Sequence, residues 1–253
     1  SAAAKARGFE VDLIDLRALE SWDHFRTVLA DRDPDVVGVT MMSVDYNPAS
    51  QAIAIVKELN PDIVTVIGGP HVTIALEDTM NLANADYLVT REGEVTFPKL
   101  LEAIRDGSPP SDRILRGETP DLDRIPFSDR DLFLNEWRKW GYDIDSPEVP
   151  FVAELPAPFA TIIAGRGCLY HCTFCKPGED YLFGRRTRRR SVDSVIDELR
   201  MLVDRYHIAS FMFHDDCLTE DRRWVTAFTE AYIQAGFNMP FFCQSRADII
   251  VQH

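Results

Sequence analysis

The sequence has no apolar run approaching the ~18 residues that a membrane-spanning helix needs, so a membrane partner is not expected. Its first eight residues lack the charged, then apolar, then small order of a secretory signal. They also lack a starting Met, so the chain is expected to be cut from something longer. No internal repeat or low-complexity tract interrupts it, and there is no surplus of positive charge: the formal net charge is −14. Residues 159–253 carry 12 Lys+Arg against 12 Asp+Glu, leaving 15 against 29 in residues 1–158, so the acidic excess sits entirely in the first part. A nucleic-acid partner would call for a basic footprint and is disfavoured; the exception is the run Arg185, Arg186, Arg188, Arg189, Arg190. Cysteine is sparse, with five residues, and three of them fall within eight positions. That clustering argues for metal or redox chemistry in a reducing, cytoplasmic compartment rather than for a disulfide framework.

What is present is ordinary globular composition, 45% hydrophobic over 253 residues, a length that fits about two domains. Residues 9–106 alternate strand-like and helix-like segments in the rhythm of a doubly wound parallel sheet, an α/β fold of flavodoxin-like type. Strands are expected at 9–16, 35–42, 62–67 and 86–90, and helices at 21–30, 48–59, 75–84 and 95–104. Residues 1–8 read as the tail of a helix whose preceding strand is absent, which would leave a defect in the core. Residues 107–158 shift to proline-punctuated acidic and aromatic stretches, the behaviour of a linker, with Phe133, Trp137, Trp140 and Tyr142 marking it as packed on something. From 159 the alternation resumes: strands at 161–164, 210–214 and 240–244, a helix after Ser191 carrying Val192, Val195, Ile196, Leu199, Leu202 and Val203 on one face, and another at 222–235. Three strand-and-helix beginnings fit the first half of a (β/α) barrel, since at ~30 residues per unit this stretch is too short to close one. The expected domains are therefore 1–106, 107–158 as linker, and 159–253.

The densest chemistry follows the strand at 161–164, in Gly165-Arg166-Gly167-Cys168-Leu169-Tyr170-His171-Cys172-Thr173-Phe174-Cys175. Three thiols spaced by three and then two residues can wrap a compact iron–sulfur cluster. A cubane needs four ligands, so three leave one iron open. Read from the residues alone, the trio also fits a zinc site completed by His171, or three buried thiols. Cys217 and Cys243 read as core or pocket lining, because free cysteine is among the most buried residue types. The arginine run reads as a solvated face, a phosphate contact, or a lead-in to the following helix.

The Cys168, Cys172, Cys175 spacing, with Phe174 before the last thiol, resembles the signature of the radical S-adenosylmethionine (SAM) family. The resemblance implies that these cysteines hold a 4Fe-4S cluster whose open iron binds SAM, that an external electron donor reduces it, and that SAM is cleaved to methionine and a 5′-deoxyadenosyl radical. Asp215 and Asp216, at the end of the strand 210–214, match the position where the family contacts the SAM amino group; otherwise Asp216 caps the next turn. Arg246, just past the third strand, is placed to meet the SAM carboxylate. Barrel strands four to six, which in the family contact the ribose and adenine, are expected to be absent, with SAM turnover by the chain alone impaired.

Gly68-Gly69-Pro70-His71-Val72-Thr73 lies between a strand and a helix, where glycines allow close approach of a ligand and free amides face it. Together with Ser43 and with Arg91-Glu92-Gly93-Glu94 it resembles the cobalamin-binding domain that precedes the barrel in one radical SAM subgroup. The linker matches too, in Leu122-Asp123-Arg124-Ile125-Pro126-Phe127 and Asp129-Arg130-Asp131-Leu132. The resemblance implies that Ser43, Gly68, Gly69, Pro70, His71, Thr73, Glu92, Gly93 and Glu94 surround the corrinoid tail. His71 alternatively hydrogen-bonds locally and is not read as a cobalt ligand; nothing in these residues matches an Asp-x-His-x-x-Gly loop, whose place, between the first strand and first helix, lies before this sequence begins. The implied activity is methyl transfer to an unactivated carbon or phosphorus of a small-molecule or natural-product substrate. Cobalamin-assisted rearrangement, cyclisation or oxidation, and a non-catalytic corrinoid-binding fragment, are the alternatives.

Overall fold

The structure is a computed structural model that describes residues 1–141, 155–175 and 178–252; Tyr142, Pro147 and Pro150 of the expected linker lie outside these. By packing, the chain divides into two units: Ser1–Pro120 with Cys172–Gly184, and Asp121–His171 with Arg185–His253.

The first unit is built on four parallel strands, β1 (Val36–Thr40), β2 (Val64–Gly68), β3 (Tyr87–Thr90) and β4 (Ile114–Arg116), hydrogen-bonded in that order. β1 and β2 run in register from Val36 opposite Val64 to Thr40 opposite Gly68. Their β-branched residues suit a sheet covered on both faces, and successive residues of β2 serve different faces. Ile67 packs with Met41, Ile53 and Leu88, while its neighbour Val66 packs with Val89 and Leu100. The helix Tyr46–Leu59 buries Ala49, Ala52, Ile53, Ile55 and Val56. The helix Trp22–Arg32 begins where Ser21 Oγ accepts the His24 amide at 3.1 Å.

Two expectations are corrected here. Residues 9–16 form no strand: the segment is extended chain leading to a 3-10 turn at Leu16–Ala18. Alternation of Phe9, Val11 and Leu13 supplies no partner for the backbone; instead Arg32 donates to the Leu13 carbonyl, and Ile14 and Leu16 pack against the cluster of Phe25 and Leu29. The helix at 75–84 is two short ones, Pro70–Ile74 and Leu76–Met80, divided at Ala75 with φ −126°. Pro70 starts the first because a residue without an N–H costs nothing in the first turn.

The second unit carries β5 (Phe159–Ile162), β6 (Gly165–Arg166), β7 (Arg188–Arg189), β8 (Ser210–Phe213) and β9 (Phe241–Cys243). β5, β8 and β9 form a parallel sheet in the order β5-β8-β9, joined through the helices Val192–Tyr206 and Arg222–Gln234. This is the strand–helix repeat from which (β/α) barrels are built. Its core holds Ala160, Ile162, Leu199, Leu202, Phe211, Phe213 and Phe228, with Phe211 stacked on Phe241 at 5.0 Å. The stretch read as linker contributes a 3-10 turn, Leu122–Arg124, and a helix, Arg130–Lys139, capped by Asp129. Its acidic and basic residues serve this core: Asp123 accepts the Ser191 amide at 2.8 Å, Asp131 accepts the Tyr206 hydroxyl at 2.9 Å, and Arg130 donates to the Thr161 carbonyl at 2.5 Å.

Candidate functional site

In the second unit, the C-terminal end of β5 leads into β6, which pairs antiparallel with β7, Gly165 opposite Arg189 and Arg166 opposite Arg188. Cys168 follows two residues after this pairing and is half-buried. Burial pushes its thiol pKa up; the Tyr170 amide opposes this, and the negative charges of Glu220 and Asp216 add to it. Without a cation the thiol form is therefore favoured. Asp216 is exposed. Asp215 is buried, its Oδ2 accepting the Ala164 amide at 2.8 Å and its Oδ1 the Arg189 guanidinium at 3.2 Å. Burial raises Asp215 to about 6, the Ala164 amide, Arg189, and the Gly165 and Asp215 amides offsetting part of that cost. Arg246 lies 4.1 Å over the Tyr170 ring and makes two hydrogen bonds to Asp248, at 3.1 and 3.0 Å.

Within the arginine run Arg185 and Arg186 are exposed, while Arg189 and Arg190 turn inward. Arg189 donates to the Cys217 and Leu218 carbonyls, both at 3.0 Å, and Arg190 binds Ser194 and Glu198. Of the three readings of the run, the lead-in to the helix is what the structure shows for these two residues, and Ser191 Oγ caps that helix through the Ser194 amide at 3.2 Å. Sequence reasoning did not find Arg189 or Arg190 as internal ligands, because the signal was their crowding with three more arginines.

In the first unit, the ends of β1 and β2 are tied together: the Met41 amide donates to the Gly68 carbonyl at 2.9 Å, and the His71 amide to the Met41 carbonyl at 3.0 Å. Gly69 sits at φ +100°, and a Cβ there would meet the Met41 backbone at 2.7 Å; no other residue fits. Pro70 then opens the short helix that buries His71 and leaves Thr73 half-exposed. His71 Nδ1 and Ser43 Oγ are 3.0 Å apart, the ring meets Tyr46 edge-on at 5.4 Å, and Nε2 is buried without a hydrogen-bond partner. Thr73 Oγ1 accepts the Arg91 amide at 2.6 Å, which fixes Arg91 at φ +60° and aims the turn Glu92-Gly93-Glu94, in which Glu92 is buried. The structure thus brings Ser43, Gly68, Gly69, His71 and Thr73 to one end of the sheet. Around them, Met42, Val44 and Ile74 expose apolar surface. Exposed apolar side chains beside polar atoms suit a large, amide-fringed macrocycle.

Cys172–Gly184 packs with this unit, the helix Gly178–Phe183 lying against Pro70–Ile74. Cys172 is half-buried, Cys175 exposed, and Phe174 93% exposed. The Cys175 amide donates to the Cys172 carbonyl at 3.0 Å, the turn that places the last two thiols near each other along the chain. None of the described cysteines is in a disulfide. Three thiols outside any disulfide form a donor set that fits an iron–sulfur cluster by chemistry. Among the described residues no group of three His, Cys, Asp or Glu stands close enough to hold a metal ion. No helix of the described residues is long and apolar enough to cross a membrane.

Residues 1–101 match the sequence profile of the B12 binding domain. An uncharacterised methyltransferase of Pyrococcus horikoshii is 30% identical over 226 residues, covering 85% of this chain and 47% of that protein. The anaerobic magnesium-protoporphyrin IX monomethyl ester cyclase of Rubrivivax gelatinosus is 30% identical over 98% of this chain and 46% of its own length. The chain thus spans about half the length of these relatives. Among solved structures, the radical SAM methyltransferase TsrM of Kitasatospora setae, with cobalamin and a 4Fe-4S cluster bound, matches with TM-score 0.62 at 20% identity, covering 92% of this chain and 46% of that one, a likeness of fold. The chain thus carries a B12-binding domain, followed by a cysteine loop in an α/β architecture shared with a cobalamin-binding radical SAM methyltransferase.

Proposed function

We propose that this chain is the cofactor-binding part of a cobalamin-dependent radical SAM methyltransferase acting on a small molecule. The observation that carries the reading is the coexistence of two features: the close approach of Gly69 to the Met41 backbone beside the Ser43–His71 pair, and a loop of three thiols outside any disulfide, Cys168, Cys172 and Cys175. When bound, the cluster, SAM and cobalamin supply radical formation and the transferable methyl group; the protein binds, orients and shields them. Cys168, Cys172 and Cys175 hold the cluster, with Phe174 against SAM. Asp216, exposed at the end of β8, accepts the SAM ammonium, and Arg246 meets its carboxylate by exchanging its contact with Asp248. Ser43, Gly68, Gly69, Pro70, His71, Thr73, Glu92, Gly93 and Glu94 line the corrinoid tail. In this division of labour the sheet of residues 1–120 serves cobalamin, and the loop that follows β5 serves the cluster. The electron comes from an external donor, the setting is the reducing cytoplasm, and nucleic acid is not the substrate.

Methyl transfer consumes SAM in two ways, so S-adenosylhomocysteine and 5′-deoxyadenosine accumulate together with methylated product. The cyclase relative favours a second reading, ring formation or oxidation. Incubation of the full-length protein with methyl-deuterated SAM, a reductant and candidate substrates decides between them. Labelled product with equal amounts of the two SAM products supports methyl transfer; 5′-deoxyadenosine with no S-adenosylhomocysteine and no label in product supports the cyclase-like reading.

A further inference from the structure

We propose that Asp215 is a positioning residue of the cysteine loop: its buried carboxylate fixes the backbone of Ala164 and Gly165, and so the point from which the chain departs toward Cys168. The two aspartates after β8 stand in opposite settings. Asp216 is exposed, whereas Asp215 is 5% exposed. One oxygen of Asp215 takes the Ala164 amide at 2.8 Å, the other the Arg189 guanidinium at 3.2 Å, and the Gly165 amide also donates to the group. A carboxylate so engaged and so enclosed has no face left for an ammonium ligand.

The surroundings are arranged to hold this carboxylate in place. Arg189 is anchored on its far side by the Cys217 and Leu218 carbonyls, both at 3.0 Å, by Glu220 at 3.6 Å, and by stacking 5.4 Å from the Trp224 ring. Gly165 is closed to any larger residue, since a Cβ would stand 2.8 Å from the Arg188 carbonyl and 3.3 Å from Asp215 Oδ1. The Ala164 carbonyl is taken by the Arg190 amide at 2.8 Å, and the Ile162 carbonyl by the His214 amide at 2.9 Å. These backbone contacts of the stem run to the residues just after β7 and β8, and Asp215 is the side chain at the centre of the set. Its removal would leave the Ala164 amide and Arg189 buried together, two donors facing each other with no acceptor.

The inference rests on the reading of Cys168 as a cluster ligand, but its test does not need a cluster. In the metal-free chain, the alkylation rate of each cysteine by iodoacetamide is resolved by peptide mass spectrometry in wild type, Asp215→Asn, Arg189→Lys and Asp216→Asn. The amide introduced by Asp215→Asn presents one acceptor and one donor where two acceptors are required; the ammonium introduced by Arg189→Lys keeps the charge but cannot serve Asp215 and both carbonyls at once. Expected is a several-fold faster reaction at Cys168 in Asp215→Asn, a smaller rise in Arg189→Lys, no change at the already exposed Cys175 and continued protection of Cys217; Asp216→Asn, which removes a negative charge near Cys168 without touching the stem, sets the size of a purely electrostatic rise, which Asp215→Asn exceeds. If Asp215→Asn does not fold, Arg189→Lys decides. An unchanged Cys168 rate in the folded variants, or an equal rise at Cys217 that marks general loosening, overturns the proposal. A wild-type chain that takes up no iron would instead remove the cluster reading and leave the loop anchor standing.

Discussion

Asp215 and Gly69 show how much of each candidate site depends on single positions. The Asp215 carboxyl, held at about 6 by burial against a usual value near 4, binds its proton more tightly in the folded chain than in the unfolded one. Its contribution to stability is therefore most favourable below about pH 4 and falls as pH rises to about 6, by roughly 2–3 kcal/mol, with no further change above. Urea unfolding of wild type and Asp215→Asn between pH 4 and 7 should show the wild type losing stability relative to the variant across that window; parallel curves would contradict it. At Gly69, alanine meets both a disfavoured φ of +100° and the Met41 backbone at 2.7 Å. Gly69→Ala is expected to lower stability by about 2 kcal/mol or more and to abolish the spectral change on adding hydroxocobalamin. The glycine pair was visible in the sequence as a candidate ligand-facing loop. That Gly69 lies against the Met41 backbone was not, because the partner comes from the end of another strand.

At the scale of elements, the structure rests on two kinds of contact that the sequence displays unequally. The helix Val192–Tyr206 was legible because Ser191 precedes an apolar stripe at helical spacing, and its buried residues Val195, Ile196, Leu199 and Leu202 are that stripe. Phe211 in β8 is fully buried, stacked on Phe241 and edge-on to Phe213. Its replacement by alanine should cost ~3–5 kcal/mol by chemical denaturation. Illegible was Glu198, 4% exposed on the same helix, which pairs with Arg190 and, at 3.5 Å, with Arg130. Nothing in the pattern of charges announces which ones will be internal. Glu198→Ala would strand two buried guanidiniums and should destabilise the second unit by ~3–5 kcal/mol, whereas removing an exposed pair such as Arg200 with Asp197 should change stability by less than ~1 kcal/mol. The segment 9–16 illustrates the opposite failure, in which alternation is present and a pairing strand is not.

At the scale of the whole molecule, the chain forms two units with separate cores, and the B12-binding match falls in the first. The fold class was legible because parallel α/β architecture repeats its hydrophobic rhythm, and three thiols within eight residues mark a candidate cluster loop because they have few other uses. The packing of Cys172–Gly184 with the first unit could not be read from any spacing, since it depends on where a loop settles after it leaves the sheet. The most direct measurement is anaerobic reconstitution of the chain with iron, sulfide and hydroxocobalamin, followed by metal analysis and electron-paramagnetic and optical spectra. Expected are about four irons per chain, a reduced-cluster signal that disappears in the Cys168→Ala, Cys172→Ala and Cys175→Ala variants, and a bound-corrinoid absorption that survives in them. A tetrahedral zinc ion on those thiols, or no bound metal at all, would contradict the assignment.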